Sequence, residues 1–116
     1  MNRKLDASVA IALGRKVVER GGEYWYPGRI PYRVEFFSVD GNDMLDLMAE
    51  MRKLGWFADH HIRQINGEAW HIVEFFRYRA FPFSGAKESF SSGASTMPKA
   101  VTLAVHYAIT EKEWIE

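Results

Sequence analysis

Apolar residues recur at helical spacing in three stretches of the chain. The stretches are residues 3–13, 40–54 and 97–109. Asp40 can cap the second stretch, and Gly14 and Gly55 can supply left-handed stops after the first and the second. Pro98 suits the first turn of the third, where a missing N–H group costs little. The pattern predicts three amphipathic helices.

Short extended segments are predicted between these helices. Asn66-Gly67 is the dipeptide best suited to a two-residue type I′ turn, so it predicts a hairpin. Glycine and proline interrupt residues 17–37 and limit that region to short pieces. The predicted strands are residues 24–26, 32–37, 56–65, 68–78 and 86–93.

The strands of the predicted hairpin are apolar on both faces. Trp70, Ile72 and Phe76 point to one side of the sheet, and Val73 and Phe75 point to the other. A sheet of this kind needs cover on both sides, which three helices can supply. The sequence therefore predicts one α+β domain over residues 1–116, with a small antiparallel sheet of three to five strands covered by helices in an α/β/α sandwich.

Composition narrows the classes of function. The 116 residues are 47% hydrophobic and 26% charged, as in an ordinary globular domain. Fifteen basic and fifteen acidic residues cancel, so a long nucleic acid is not an expected partner. The absence of cysteine excludes disulfides, thiolate catalysis and cysteine-ligated zinc. No long apolar run suggests a secretory signal or a membrane partner, which makes the cytoplasm the expected location.

Five short motifs follow one another along most of the chain. They are Leu5-Asp6-Ala7-x-Val9-Ala10, Phe37-Ser38-x-Asp40, Met51-Arg52-x-x-Gly55-Trp56, Gly67-x-x-Trp70 and Ala94-Ser95-x-x-Pro98-x-Ala100-Val101-x-Leu103-Ala104. In their order and spacing they resemble the phage ABA sandwich domain family, which consists of small α/β/α proteins of phages and prophages. The resemblance implies that fold, a phage origin and the cytoplasm of a host cell. It implies no reaction, because the family offers no catalytic motif to carry over.

Aromatic residues make up 15% of the chain, and several of them alternate with arginine. Rings stack on bases, and guanidinium groups form paired hydrogen bonds to phosphates, so the combination predicts a site for a nucleotide-like anion. The alternative is that the rings fill the core and the arginines are solvated. The candidate ligand-binding residues are Tyr24, Trp25, Tyr26, Arg29, Tyr32, Arg33, Arg77, Tyr78 and Arg79, with Phe81 and Phe83 nearby.

The predicted hairpin register brings a second group of polar residues together. A two-residue turn pairs Asp59 with Glu74 and puts His61 and Arg63 on the same face. Two facing carboxylates repel unless a cation or proton lies between them, which would suit a metal or acid–base site. The alternative is that this face partly meets solvent or that Arg63 or a neighbouring lysine neutralises the pair. A bulge would also break the register. We expect no bound metal and no cofactor.

Three hypotheses about function remain. The first is a non-enzymatic binder, a homo-oligomer that holds a small nucleotide-like ligand between its subunits and sequesters it, as a phage counter-defence factor would. The second is a protein-interaction module that blocks a host factor or joins a phage assembly, with exposed rings as its hot spots. The third is a small hydrolase that uses Asp59, His61 and Glu74. No catalytic motif was found, so we expect a protein that is not an enzyme.

Overall fold

The computed structural model describes residues 2–78 and 87–115, and that part of the chain forms three helices and six strands. The helices are α1 (Arg3–Ala12), α2 (Gly41–Lys53) and α3 (Met97–Thr110). The strands are β1 (Val18–Arg20), β2 (Glu23–Tyr26), β3 (Tyr32–Arg33), β4 (Phe57–Ile65), β5 (Glu68–Tyr78) and β6 (Lys87–Ala94). The three predicted helices and the hairpin are confirmed, whereas β1 was missed.

The helix boundaries follow from local chemistry. The Asp40 side chain accepts a hydrogen bond of 2.9 Å from the backbone N–H of Asp43 and so caps α2. Gly55, with φ of +93°, takes the left-handed conformation that ends this helix. Asn2 caps α1 by accepting a hydrogen bond of 3.1 Å from the backbone N–H of Leu5. In both helices, a side chain at the N-cap therefore accepts a hydrogen bond from a backbone N–H group of the first turn.

The strands form two antiparallel sheets of three strands each in the described residues. Sheet A has the order β1-β2-β3, and sheet B has the order β4-β5-β6. Asn66 and Gly67 both have positive φ values, of 51° and 79°, as a type I′ turn requires. The predicted register of the hairpin, including the pairing of Asp59 with Glu74, is confirmed.

Helix α3 is the centre of the molecule. One side of it packs on β5 and β6, and the other side packs on α1 and α2, while sheet A contacts α1 through β2. Val73 and Phe75 of β5 and Val101 and Val105 of α3 are almost fully buried in this core. The predicted α+β class is confirmed, and the arrangement is consistent with a sandwich, although the strands divide between two sheets. None of the helices in the described ranges is long and apolar enough to cross a bilayer.

One face of sheet B, which we call the open face, has no helix packed along it in the described residues. It consists of every second residue of each strand: Phe57, Asp59, His61, Arg63 and Ile65 of β4, Glu68, Trp70, Ile72, Glu74, Phe76 and Tyr78 of β5, and Lys87, Ser89, Ser91 and Gly93 of β6. Only the end of α2 reaches it, where the Arg52 guanidinium lies 4.3 Å from the centroid of the Phe57 ring. Helix cover on both faces was expected, but α3 is apolar over most of its surface and requires α1 and α2 on its far side.

A buried ion pair joins the first helix to the rest of the molecule. Asp6 is inaccessible to solvent, and its Oδ2 lies 2.8 Å from Nη1 of Arg3. Its Oδ1 accepts a hydrogen bond of 2.9 Å from the backbone N–H of Ser38. Arg3 also donates to the backbone carbonyls of Val34 and Glu35. Burial raises the pKa of Asp6, and the hydrogen bonds from Ser38 and the charge of Arg3 act against that rise.

Replacing Asp6 tests the importance of this ion pair. We expect Asp6→Ala to lower the free energy of unfolding by about 1–3 kcal/mol, because it leaves the buried backbone N–H of Ser38 without its acceptor and removes one of the two carboxylates that pair with Arg3 in the described chain. The exposed residue Asp46 on α2 provides the control, and Asp46→Ala should change the same quantity by less than about 0.5 kcal/mol. Urea denaturation followed by circular dichroism measures both variants. Equal losses in the two variants would contradict the assignment.

A histidine fixes the segment that follows α3. The helix ends at Glu111, whose φ of 60° is left-handed. His106 is buried, and its Nδ1 donates a hydrogen bond of 3.0 Å to the backbone carbonyl of Lys112. Its ring centroid lies 5.3 Å from that of Trp114 in an edge-to-face contact. Burial lowers the pKa of His106, and the bond to the carbonyl opposes this only in part.

The lowered pKa of His106 predicts a pH-dependent stability. Below a pH of about 6.5 the unfolded chain takes up a proton at this residue more readily than the folded chain does, so acidification favours unfolding. Between pH 7.5 and pH 5.5 the wild-type protein should lose more of its free energy of unfolding than His106→Asn loses. Urea titrations of both proteins at the two pH values give the comparison. Identical pH dependence in the two proteins would show that His106 does not contribute.

Candidate functional site

The sheet A residues of the predicted aromatic–arginine cluster point to opposite sides of β2. Tyr24 and Tyr26 pack against the core, whereas Trp25 points the other way. The guanidinium of Arg33 lies 5.4 Å from the ring centroid of Trp25, and Tyr32 is 68% exposed. Two of the three rings on β2 are therefore packing residues, and one is stacked on an arginine.

Tyr26 belongs to a network that is closed to an anion. Arg15 donates to the hydroxyl of Tyr26 over 2.8 Å and to Glu35 over 2.9 Å, and it also pairs with Glu50. The Tyr26 hydroxyl donates in turn to Glu35. Burial, followed by the hydrogen bond to Glu35, raises the pKa of Tyr26 to about 12. Two carboxylates at this point would repel a phosphate.

The remaining cluster residues lie elsewhere. Arg29 is exposed in the loop between β2 and β3. Arg77 stacks 4.3 Å from the ring centroid of Trp56 and pairs with Glu88 over 2.8 Å, while Tyr78 faces away from it on the open face. Arg79, Phe81 and Phe83 lie outside the described residues.

The eight candidate residues that the structure describes are therefore not brought to one place. No strand of sheet A contacts sheet B within residues 2–78 and 87–115, so the two halves of the cluster are separated. The prediction assumed one continuous sheet, and it could not anticipate that Arg77 would be matched by Glu88 or that Tyr26 would join the ion pair of Arg15 with Glu35.

One carboxylate of the hairpin pair is neutralised from the third strand. Asp59 and Glu74 face each other as predicted, and Nζ of Lys87 lies 3.2 Å from Oε1 of Glu74. Neutralisation by a neighbouring lysine was one of the alternatives for this group. No three histidine, aspartate or glutamate side chains of the described chain converge in a way that could hold a metal ion.

The structure reveals a different candidate site at the start of α3. We call it the lysine cleft; it has a volume of about 510 Å³ and opens to solvent. It is lined by Asn2, Lys4, Ser38, Val39, Ser95, Thr96, Lys99 and Trp114. A smaller cleft of about 300 Å³, the tryptophan cleft, shares Ser95, Lys99 and Trp114 with it and adds Trp70, Gly93, Ala94 and Leu103. The two clefts together make one groove.

The lysine cleft carries positive charge in a protein whose net charge is zero. Lys4 and Lys99 both line it, and none of its described lining residues is acidic. Thr96 stands at the N-cap of α3 without forming a side-chain hydrogen bond, and the first turn of this helix has no acidic residue. A helix N-terminus of this kind favours an anion through its N–H groups and its dipole.

Two polar atoms of lining residues are buried without an ordinary hydrogen bond in the described chain. They are the hydroxyl oxygen of Ser38, a residue 2% exposed, and Nε1 of Trp114. The hydroxyl lies beside the Asp6 carboxylate, whereas the indole N–H, which can only donate, has no acceptor. A buried donor left unpaired costs about 1–3 kcal/mol, which an oxygen atom of a ligand would offset.

An indole ring forms part of the wall of the tryptophan cleft. A Cβ atom on Gly93 would lie 2.4 Å from Nε1 of Trp70, so the ring rests directly on the glycine backbone. Only glycine permits this close approach. Trp70 and Trp114 therefore put two indole rings beside the lysines, which is the combination of rings and cations that the sequence predicted for other residues.

No model of a known protein family matches the chain, and no curated protein or solved structure matches it either. The resemblance to the phage ABA sandwich family remains a prediction. The case for a function therefore depends on the side chains of the groove.

Proposed function

We propose that this protein is a non-enzymatic binder of a small nucleotide-like anion, held in the groove at the start of α3. The observation that carries the proposal is the convergence of Lys4 and Lys99 on a helix N-terminus that has no side-chain cap and no acidic residue in its first turn. Each lysine can form a charge-assisted hydrogen bond to a phosphate. The proposal keeps the predicted ligand class and assigns it to residues other than the predicted ones.

The groove matches both ends of such a ligand. A phosphate group fits the lysine cleft, where the N–H groups of α3 begin. A planar base fits the tryptophan cleft, whose Trp70 and Trp114 rings can stack on it. The N–H of Trp114 could donate to a phosphate oxygen or a base carbonyl. The ligand class thus follows from charge at one end and flat apolar surface at the other.

The sequence resemblance supports a biological setting for this binding. A small phage or prophage accessory protein of the host cytoplasm could sequester a nucleotide signal of the host, as a counter-defence factor would. Sequestration requires binding and no reaction, which agrees with a groove that contains lysines but no acidic lining residue. We also propose that the protein acts as a homo-oligomer, because the open face and the strand β4 leave apolar side chains exposed.

A thermal-shift screen of nucleoside monophosphates, diphosphates and cyclic nucleotides tests the proposal. A ligand at one hundred times its dissociation constant stabilises the fold by about 2.7 kcal/mol, which raises the melting temperature of a domain this size by several degrees. The double variant Lys4→Gln/Lys99→Gln should bind at least about tenfold more weakly, because two charge-assisted hydrogen bonds are lost. Lys16→Gln, an exposed lysine that does not line the groove, is the matched control.

Two results would overturn this function. One is the absence of any shift with every nucleotide at millimolar concentration. The other is a shift that the double variant and Lys16→Gln retain equally, since binding would then lie outside the groove. Raising the salt concentration should weaken genuine binding, because lysine–phosphate attraction is screened by ions.

A row of three rings, in which Phe57 and Tyr78 are exposed and Phe76 is half-buried, favours the protein-interaction module as a second candidate. Phe57 stacks on Phe76 with centroids 5.7 Å apart, and Phe76 meets Tyr78 edge to face at 6.1 Å, all on the open face. Aromatic side chains of this kind are typical of interface hot spots. For this candidate, Tyr78→Ser should abolish capture of a host protein and leave nucleotide binding unchanged, whereas Lys4→Gln/Lys99→Gln should have no effect on capture.

A further inference from the structure

Strand β4 is an edge strand that is exposed along its entire length. All nine of its residues are exposed, and within the described chain it pairs with β5 alone. Helix α3 contacts β5 and β6 but not β4, so the side of β4 that faces the helix layer is free as well. A long edge without proline, lysine or a bulge is a template for pairing with another strand.

The free edge of β4 has its own set of hydrogen-bonding groups. A two-residue turn makes Ile65 and Glu68 a hydrogen-bonded pair, so every second residue back along β4 directs its N–H and C=O groups to β5. The residues between them direct these groups outward. They are Ala58, His60, Ile62 and Gln64.

Two opposite charges on this strand have no partner. Neither the Asp59 side chain nor the Arg63 side chain has a hydrogen bond or an ion pair within residues 2–78 and 87–115. Asp59 faces Glu74, a like charge that is itself paired with Lys87. The two unpaired residues stand at equal distances on either side of His61, the middle residue of β4.

We propose that two copies of this chain pair through β4, antiparallel and about a two-fold axis at His61, to form a continuous sheet of six strands. This register places Asp59 opposite Arg63 of the second copy, and the symmetry repeats the pair. It also places Phe57 opposite Ile65 of the second copy. The outward-directed residues Ala58, His60, Ile62 and Gln64 then meet one another as hydrogen-bonded pairs.

Charge complementarity selects this register among those that the backbone permits. The outward-directed N–H and C=O groups of the two copies face each other only when the two-fold axis passes through a residue of β4, and not when it passes between two residues. An axis at Asp59 would set Asp59 against itself, and an axis at Arg63 would set Arg63 against itself. An axis at His60 or Ile62 would leave both charges without an opposite partner. Only the axis at His61 joins every residue of β4 and pairs both charges.

The exposed apolar side chains of β4 fit the same register. Phe57 is 40% exposed and Ile65 is 46% exposed, and they would cover each other on the open face. Ile62, which is 56% exposed, would lie opposite His60 of the second copy. It would also contact Ile62 of the second copy diagonally, on the side of the sheet that faces the helix layer. Every large apolar residue that β4 exposes thus gains a neighbour.

The inference rests on the proposed homo-oligomer but not on anion binding. The groove adjoins Gly93 and Ala94 of β6, which lies at the other edge of sheet B from β4. A failure of the nucleotide screen therefore leaves the pairing intact, and a monomeric protein can still bind the anion.

Charge reversal at the two unpaired positions tests the register. Analytical ultracentrifugation should show the wild-type protein as a dimer, and Asp59→Arg and Arg63→Asp should each raise its dissociation constant at least about tenfold, because each replaces two attractive pairs with two repulsive ones. The double variant D59R/R63D should dimerise again. Asp46→Arg, an exposed charge reversal away from β4, is the matched control and should leave the dimer unchanged.

A mixture of the two single variants gives the sharpest result. One copy then carries two arginines and the other two aspartates at these positions, so only the mixed pair is attractive, and a 1:1 mixture should form heterodimers. Dimers that persist in both single variants would overturn this interface but not the homo-oligomer. A wild-type protein that is monomeric at 0.1 mM, about the level of weak association, would overturn both.

Cross-linking checks the position of the axis. The chain has no cysteine, so His61→Cys introduces a single thiol. Directly opposed residues that do not share hydrogen bonds have Cα atoms about 4.5 Å apart, which a disulfide can span. His61→Cys should form a covalent dimer on mild oxidation, whereas Ile65→Cys, about 26 Å from its symmetry mate at the strand rise, should not. Equal cross-linking of the two would overturn the register.

Discussion

The buried pair of Arg3 and Asp6 is the constraint on which the rest of the structure depends. A carboxylate without solvent access persists only with a charge partner and hydrogen bonds, and Asp6 has both. Arg3 also pairs with Glu23 of sheet A over 2.8 Å, so one guanidinium links α1 and sheet A. The backbone N–H of Ser38 bonds to the same carboxylate, which anchors this residue in the wall of the lysine cleft.

Helix α3 imposes the second constraint. Its small apolar residues, such as Ala100, Ala104 and Ala108, allow neighbouring elements to pack closely against it. Because most of the helix surface is apolar, α3 needs a packing partner on most of its sides. Sheet B takes one side, and α1 and α2 take the other, so no helix remains for the open face in the described chain. The surfaces that remain available for a partner are therefore determined by the packing around α3, and they include the open face and the edge of β4.

Local signals were sufficient for most of the fold. Asn66-Gly67 determines the hairpin register because the conformation of two residues sets every pair beyond them, and Asp40 with Gly55 determines α2 for a similar reason. The site could not be predicted in this way. Lys4 and Lys99 lie at opposite ends of the chain, and they meet only because α1 packs on α3. Thr96 without a cap is a signal that the sequence does contain, but its meaning depends on the neighbours that folding supplies.

The position of the groove bears on how binding and assembly would be related. The sequence suggested a ligand held between subunits, which would make oligomer formation necessary for affinity. In the sheet of six strands, β4 lies at the centre and β6 at each outer edge, so each groove uses residues of one copy and comes nearest to the interface at Trp70, which pairs with Arg63 of β4. The two sites would then bind independently, unless a shift of α3 passes through β5 to β4. Because α3 contacts β5 but not β4, such coupling would have to travel through the sheet, and the physical expectation is simple binding without cooperativity.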